Sequence, residues 1–310
     1  MKWEAVLAAC WLSFTCCAAD NRAGAVHHNQ QEPDSGSQVF TSDYMGQEVP
    51  GLEPVVFAPG LISTDRSEVA FEMSPDGKEA CFVRFFSNSP RIMCSRHTRE
   101  GWSAPALVPF TGEHFSSHPT FSPDGSTLYF SSGMPLPPDW PGVRPAPDSR
   151  QAIKIWRVSR DGTGWSPPQP VFIPDGDGVA DASVAGNGTI YTSGILRSVL
   201  ENGRYGEPEE LNPPMEGHWP YIAPDESFIV FGHGFPRRLW VSFRRLDGTW
   251  TTPRSCSDGF GFRGAEMNGT PFVTPDGKYL FFSAKHDIYW VAAEVIWNLR
   301  SDECESSCVD

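Results

Sequence analysis

A chain of 310 residues with 24 Lys and Arg against 38 Asp and Glu has a formal net charge of −14, which excludes the basic surface that nucleic acids and anionic membranes require. Its 39% apolar and 13% aromatic content is enough for one packed domain, and past the N-terminus no apolar run is long enough to span a membrane. With 29 Gly and 29 Pro the composition suits a turn-rich, exported all-β domain, and the acidity reads as solubility.

Residues 1–19 read as a signal peptide cut near Ala19, with Lys2 ahead of an apolar stretch from Ala5 to Phe14. Leu7-Ala8-Ala9-Cys10 would suit a lipoprotein cleavage site, but the apolar run before it is too short. Residues 20–43, including His27-His28-Asn29-Gln30-Gln31, form a polar leader expected to be disordered. Secretion or a periplasmic location follows as the expectation.

From Glu53-Pro54-Val55-Val56-Phe57-Ala58-Pro59 onward the chain becomes repetitive. One phrase recurs at Met73-Ser74-Pro75-Asp76-Gly77, Phe121-Ser122-Pro123-Asp124-Gly125, Val184-Ala185-Gly186-Asn187-Gly188, Ile222-Ala223-Pro224-Asp225-Glu226 and Val273-Thr274-Pro275-Asp276-Gly277. Pro pre-sets φ for the second position of a turn, Asp tolerates the third and Gly supplies the left-handed residue, so each phrase predicts a hairpin. Apolar strands follow, as in Thr127-Leu128-Tyr129-Phe130 and Lys278-Tyr279-Leu280-Phe281-Phe282. Third and fourth strands come next, as in Ile153 to Val158 followed by Trp165-Ser166-Pro167. The spacing matches four-stranded propeller blades. The last unit switches after Asp287 to Val291 into a helix-like Ala292 to Trp297, so its fourth strand is missing. Residues 53–59 supply it, which joins the two ends of the chain in one sheet and removes exposed edges. The expected fold is a five-bladed β-propeller of four-stranded antiparallel blades over residues 44–299, with a Cys-containing tail at 300–310. A sixth blade is the alternative, and it would have to come from residues 20–52, which lack strand alternation.

Cys10, Cys16 and Cys17 fall in the signal, leaving Cys81, Cys94, Cys256, Cys304 and Cys308. Cys81 and Cys94 sit symmetrically about the Ser87-Asn88 turn, so they either pair across that hairpin or stand as two unlinked buried thiols. Without paired CxxC spacings no metal site is expected. No cofactor is expected either, with calcium kept as the alternative: the segment from Asp175 to Asp181 resembles a calcium loop, although it lacks the closing Glu and lies between strands.

On the face opposite the Pro-Asp-Gly turns the connections are longer. They include the acidic loop 174–181, the turn Gly232-His233-Gly234-Phe235-Pro236-Arg237-Arg238, and the Pro-rich insertion 133–150 around Trp140, with Arg144 and Arg150. That face is the expected ligand surface. Five residues before each turn's Pro position, the channel-lining strands carry Ala70, His118, Asp181, Trp219 and Thr270, with His218 and Glu266 nearby. His118, Asp181, His218, Trp219, Glu266 and Trp140 are therefore the candidate ligand contacts. Such residues also line channels to satisfy one another and ordered water.

The Pro-Asp-Gly phrases followed by aromatic strands resemble the WD40-like PD40 repeats of TolB-type propellers, over about Tyr44 to Leu299. The stretch from Trp240 to Val291 and the opening Gly46-Gln47-Glu48-Val49-Pro50-Gly51 resemble secreted PD40-repeat proteins. The third unit departs with Ala185-Gly186-Asn187-Gly188, and the fourth ends in Glu226 where Gly is usual. The resemblance implies a binding scaffold and carries no catalytic residues with it. Two functions are expected to compete. One is a monomeric extracytoplasmic module binding a protein, peptide or glycan. The other is a carbohydrate-active enzyme, a glycosidase or polysaccharide lyase, using Asp181 and Glu266 as carboxylates and His118 or His218 as base. A peptidase is disfavoured by the absence of Gly-x-Ser-x-Gly, and sialidase chemistry by the absence of Ser-x-Asp-x-Gly-x-x-Trp.

Overall fold

The computed structural model describes residues 43–87, 89–138, 153–162, 164–173, 181–235, 237–262 and 267–300. The expected signal peptide, the leader up to residue 42 and the tail from 301 lie outside the described residues.

Five antiparallel blades follow one another along the chain. Blade 1 consists, from the channel outward, of Glu68–Met73, Glu79–Phe86, Ser89–Thr98 and Ala106–Leu107. Blade 2 is Ser116–Phe121, Thr127–Ser132, Lys154–Asp161 and Gln169–Pro170. Blade 3 is the slightest, with Ser183–Val184, Ile190–Thr192, Leu196–Ser198 and Glu209–Glu210. Blade 4 is His218–Ile222, Phe228–His233, Arg238–Phe243 and Arg254–Ser255. Blade 5 takes Met267–Val273, Tyr279–Ala284 and Asp287–Ala292 from the C-terminal part of the chain, and Val55–Val56 from the N-terminal part as its outer strand. Val55 pairs with Trp290 and Val56 with Tyr289, and the Phe57 amide donates to the Ile288 carbonyl at 2.8 Å. The expected closure by a borrowed strand is therefore present.

Alternation along each strand sends successive side chains into different interfaces, because neighbouring residues point to opposite faces of a sheet. Phe281 packs with blade 1 residues, whereas Phe282 packs with blade 4 residues. Leu128 and Phe130 face blade 1, and Tyr129 between them faces blade 3. Ile229 and Phe231 face blade 3, and Val230 faces blade 5. Each of the five junctions thereby has its own apolar core. At the closing junction Phe57, fully buried, lies 5.1 Å from the Phe71 ring, 4.9 Å from Phe281 and 5.2 Å from Trp290. The short helix Glu294–Trp297 covers the turn end of blades 4 and 5, where the Trp297 indole donates to the Gly277 carbonyl at 3.0 Å and packs 4.9 Å from Phe228.

Each regular turn is held by its own Asp. In blade 2 the Ser122 hydroxyl donates to Asp124 at 2.6 Å and the Ser126 amide at 3.0 Å, while Gly125 takes φ 71°. The Ser122 hydroxyl, followed by the amide and hydroxyl of Ser126, holds the Asp124 carboxyl below the usual range. The two irregular turns are partners. The Gly186 amide donates to the Pro224 carbonyl at 2.7 Å, an approach at which a Cβ on residue 186 would lie 2.8 Å from that oxygen. Glu226 accepts from Asn187 at 3.2 Å, from the Tyr191 hydroxyl at 2.5 Å and from Arg244 at 2.9 Å, which supports its left-handed φ of 59°. On the same face, between blades 1 and 2, a cleft of about 650 Å³ is walled by buried Glu79. Its carboxylate binds Arg96 at 3.1 Å and Arg160 at 2.7 Å, an ion cluster that ties the two blades.

Cys81 and Cys94 are cross-strand partners in blade 1 and form a disulfide, with Cα atoms 4.2 Å apart. Cys256 carries a free, buried thiol. Among the described residues no helix is long and apolar enough to cross a membrane.

Candidate functional site

The channel-lining strands of blades 1, 2, 4 and 5 break register in the same place, between Val69 and Glu72, Ser117 and Thr120, His218 and Tyr221, and Gly269 and Phe272. At each break the residue five before the turn's Pro takes a left-handed backbone: Ala70 at φ 55°, His118 at 46°, Trp219 at 51° and Thr270 at 52°. A non-glycine residue there costs about 1 kcal/mol or more, so something must compensate. At Ala70 and Trp219 the compensation is hydrogen bonding between blades. The Ala70 amide donates to the hydroxyls of Thr270 at 3.2 Å and Ser283 at 3.1 Å, and the Trp219 amide donates to the Ser193 hydroxyl at 3.1 Å.

Those positions form one ring of the channel, and Trp219 fills much of it. From blade 4 its indole stacks on His118 of blade 2, centroids 6.4 Å apart and planes 14° from parallel. On the other side it reaches Gly269 of blade 5 so closely that a Cβ there would lie 2.7 Å from the indole. The Arg237 guanidinium stands over the same indole, 4.3 Å from its centroid. Trp219 is 6% exposed as a result: it plugs the channel and offers no open ring face. Beside it, buried Asp181 accepts from the Ser193 hydroxyl at 2.8 Å.

Three residues before each Pro position lies a second ring that closes in the same manner. Glu72 accepts from the Phe121 amide at 3.3 Å, Thr120 donates to the Ala182 carbonyl at 2.9 Å, and Ser183 accepts from the Ile222 amide at 2.9 Å. Tyr221 packs 5.8 Å from Phe272, which packs 6.3 Å from Phe71. Burial pushes the Glu72 carboxyl well above its ordinary range. Burial, and next the Glu72 charge, push the Tyr221 phenol up as well.

Burial also sets the charge of the first ring. It raises Asp181 to about 6 against its Ser193 hydrogen bonds, and lowers His118 to about 4. His118 as a whole is partly exposed, but its Nδ1 edge is buried without a hydrogen-bond partner among the described residues, which accounts for so large an effect. These two groups act on stability in opposite senses. Asp181 binds its proton more tightly folded than unfolded, so its contribution falls as pH rises from about 4 to about 6. His118 binds its proton less tightly folded, so its contribution falls as pH drops from about 6.5 to about 4. Asp181→Asn is expected to leave a protein that loses stability on acidification across that window, and His118→Gln one that gains it relative to wild type. Urea midpoints at pH 4.5 and 7 check the pair, and slopes of the same sign in both variants would contradict it.

The ring gathers His118, Asp181 and Trp219, and His218 adjoins it, 5.8 Å from Trp219. Burial first, then Arg237, then His233, lower the His218 imidazole, whose Nδ1 is also buried without a hydrogen-bond partner among the described residues. Trp140, Glu266, most of the Pro-rich insertion and residues 174–180 of the acidic loop lie outside the described residues. The catalytic pair of Asp181 with Glu266 therefore has no described geometry, and Asp181 itself is engaged in holding Ser193. Sequence reading placed the 232–238 turn on this face but did not single out Arg237, His233 or Phe235. The signal was available: an aromatic between Gly234 and Pro236 has no core to join from a turn.

No family model and no curated protein matches the chain. Among solved structures it is similar to TolB from Acinetobacter baumannii, at 12% identity over 76% of this chain and 56% of that one, with a TM-score of 0.47. It is also similar to a TolB candidate from Agrobacterium tumefaciens, at 17% identity over 70% and 69%, TM-score 0.43. A gluconolactonase from Xanthomonas campestris aligns at 12% identity over 78% and 96%, TM-score 0.40. The chain thus spans little more than half the length of the Acinetobacter protein. At such identities and TM-scores these likenesses add nothing to the functional reading, and the fold rests on the strand pairing. By its own turns and sheet order, the chain is a five-bladed β-propeller of four-stranded antiparallel blades.

Proposed function

We propose that this propeller is a non-catalytic, extracytoplasmic binding module that takes a protein or peptide on its loop-rich face, above the plugged channel. The observation that carries the reading is Phe235. Its ring is 89% exposed at the tip of the blade 4 loop, whose base pairs His233 with Arg238 and whose Arg237 lies against Trp219. An apolar ring held out on a short loop, next to an arginine and over a rigid base, has the make-up of an interface hot spot. A glycan ligand has less in its favour, since Trp219 has no ring face left for a sugar. The Cys81–Cys94 disulfide supports an oxidising compartment, in line with the signal peptide expected at 1–19. The reading takes the protein as a monomer, its ring completed by its own N-terminal strand.

The test is selection of peptides from a displayed random library on the purified domain, beside a glycan array. Enriched peptides are expected, and Phe235→Ala is expected to bind them about tenfold or more weakly while keeping the wild-type unfolding temperature. A library that yields no binder, or binders indifferent to Phe235→Ala, overturns the reading.

A further inference from the structure

We infer that Cys81, Cys94 and Glu79 form a zinc site that opens when the disulfide is reduced. This goes beyond the binding face and does not depend on it, since the three residues lie in blade 1 at its junction with blade 2. In the pairing of the second and third strands of blade 1, Glu79 stands opposite Arg96 and Cys81 opposite Cys94. Side chains two apart on a strand share a face, so all four point the same way. That way is toward blade 2: the cysteines pack with its core residues, and Glu79 binds Arg160 at 2.7 Å. The two sulfurs and a Glu79 carboxylate oxygen consequently lie within 4.8 Å of one another. Two thiolates and a carboxylate suit zinc, which takes sulfur at about 2.3 Å and oxygen at about 2.0–2.2 Å, with the fourth position left for water. Spacing along the chain hides such a set, because strand pairing and not CxxC brings the sulfurs together.

Glu79 is a ligand already oriented. It is buried, and the cleft of about 650 Å³ that it walls gives an ion a path from solvent. Arg96 donates to Oε1 at 3.1 Å, whereas the buried Oε2 faces Arg160 as an ion pair and accepts no hydrogen bond among the described residues. A carboxylate has about four lone-pair sites, so the arginines aim it and leave room for a cation. The charge balances too, since two thiolates match the two positive charges of the ion. The hairpin does not need the disulfide to keep its register, which runs unbroken from Glu79 and Arg96 to Phe86 and Ser89. Cys94 is the partly exposed partner, and there a dithiol reductant of the CxxC kind has its point of attack. The reductant becomes a disulfide as its two electrons cleave the S–S bond to two thiols, and zinc then displaces both thiol protons to solvent.

The purified protein is reduced with a phosphine, and zinc is titrated against a competing chelator. Wild type is compared with Cys81→Ser/Cys94→Ser, which keeps Cys256, Cys304 and Cys308. Reduced wild type is expected to take up one zinc per chain more than the equally reduced Ser variant. That affinity should tighten about a hundredfold from about pH 6 to about pH 7, because two protons leave, and Glu79→Gln should weaken it about tenfold or more. Thermal unfolding of the oxidised Gln variant separates a lost ligand from a lost fold. Linkage gives a readout that needs no Glu79 variant: in a glutathione buffer, free zinc at about 100 times its dissociation constant should raise the ratio of dithiol to disulfide at residues 81 and 94 about a hundredfold, measured by alkylation and peptide mass. Equal uptake by reduced wild type and the Ser variant, a redox ratio indifferent to zinc, a chain that unfolds on reduction, or a folded Gln variant that binds zinc as tightly as wild type overturns the site.

Discussion

Phe57→Ala should lower the unfolding temperature by about 10 °C, from a loss of about 3–5 kcal/mol. The ring sits where the first and last parts of the chain meet, in edge contact with Phe71 of blade 1 and with Phe281 and Trp290 of blade 5. Removing it leaves a cavity where the borrowed N-terminal strand meets the C-terminal strands of blade 5, which only non-covalent contacts join. The strand pairing there is short, two residues flanked by the Phe57 amide on Ile288 and the Ala292 amide on Gly51, so the buried ring is a large part of what holds the propeller shut. Val55→Ala, at a side chain 40% exposed on the same strand, is expected to change stability by no more than about 0.5 kcal/mol. Thermal unfolding of the two variants followed by circular dichroism makes the comparison. A Phe57→Ala protein that melts with wild type would mean that the borrowed strand does not close the ring in solution.

The second large effect runs against the repeat. Restoring the regular phrase in blade 3 by Gly186→Pro and Asn187→Asp should destabilise the protein by about 3–5 kcal/mol, although both changes bring the turn closer to its neighbours. A proline at 186 has no N–H for the Pro224 carbonyl and sets ring atoms against an oxygen that would lie 2.8 Å from a Cβ. An aspartate at 187 brings a second carboxylate to Glu226, which already faces Asn187 at 3.2 Å. Adding Glu226→Gly relieves that repulsion and the left-handed backbone, but it gives up the bonds to Tyr191 and Arg244. The triple variant is therefore expected to recover part of the loss and not all of it. Denaturant midpoints of the double and triple variants check this, and a double variant as stable as wild type would refute the coupling of the two turns.

Much of the architecture was legible in the chain because each blade repeats one local instruction. Pro-Asp-Gly sets the hairpin, strand-forming residues follow, and the missing outer strand of the last blade pointed to residues 53–59. The ring at Ala70, His118, Trp219 and Thr270 was also found by alignment on the turns, since a position fixed relative to a turn is fixed relative to the channel. What the alignment could not show is backbone handedness. Nothing in Ala, His, Trp or Thr announces a positive φ, which arises from the bulge and, at Ala70 and Trp219, is supported by the hydroxyls of Ser283 and Ser193 on other blades. The enclosure of Trp219 was hidden for the same reason: it depends on Gly269 and Arg237, one from a different blade and one from a loop. The pairing of the two irregular turns was hidden too. Each looks like decay of the repeat when taken alone, and only their proximity shows that Gly186 answers Pro224 and Asn187 answers Glu226.

The outer strand of blade 5 has a kinetic consequence. Val55 to Phe57 leave the ribosome before any blade exists, and their partner Ile288 to Trp290 emerges some 230 residues later. Through synthesis and any export step the polypeptide must carry an unsatisfied phenylalanine and a free edge. Three-stranded intermediates of the last blade are then the natural species for a chaperone to hold, or for a second copy to invade by strand exchange. A circular permutant that opens near residue 60 and carries the 44–59 segment after residue 299 would make that contact local, and should refold faster to the same native state.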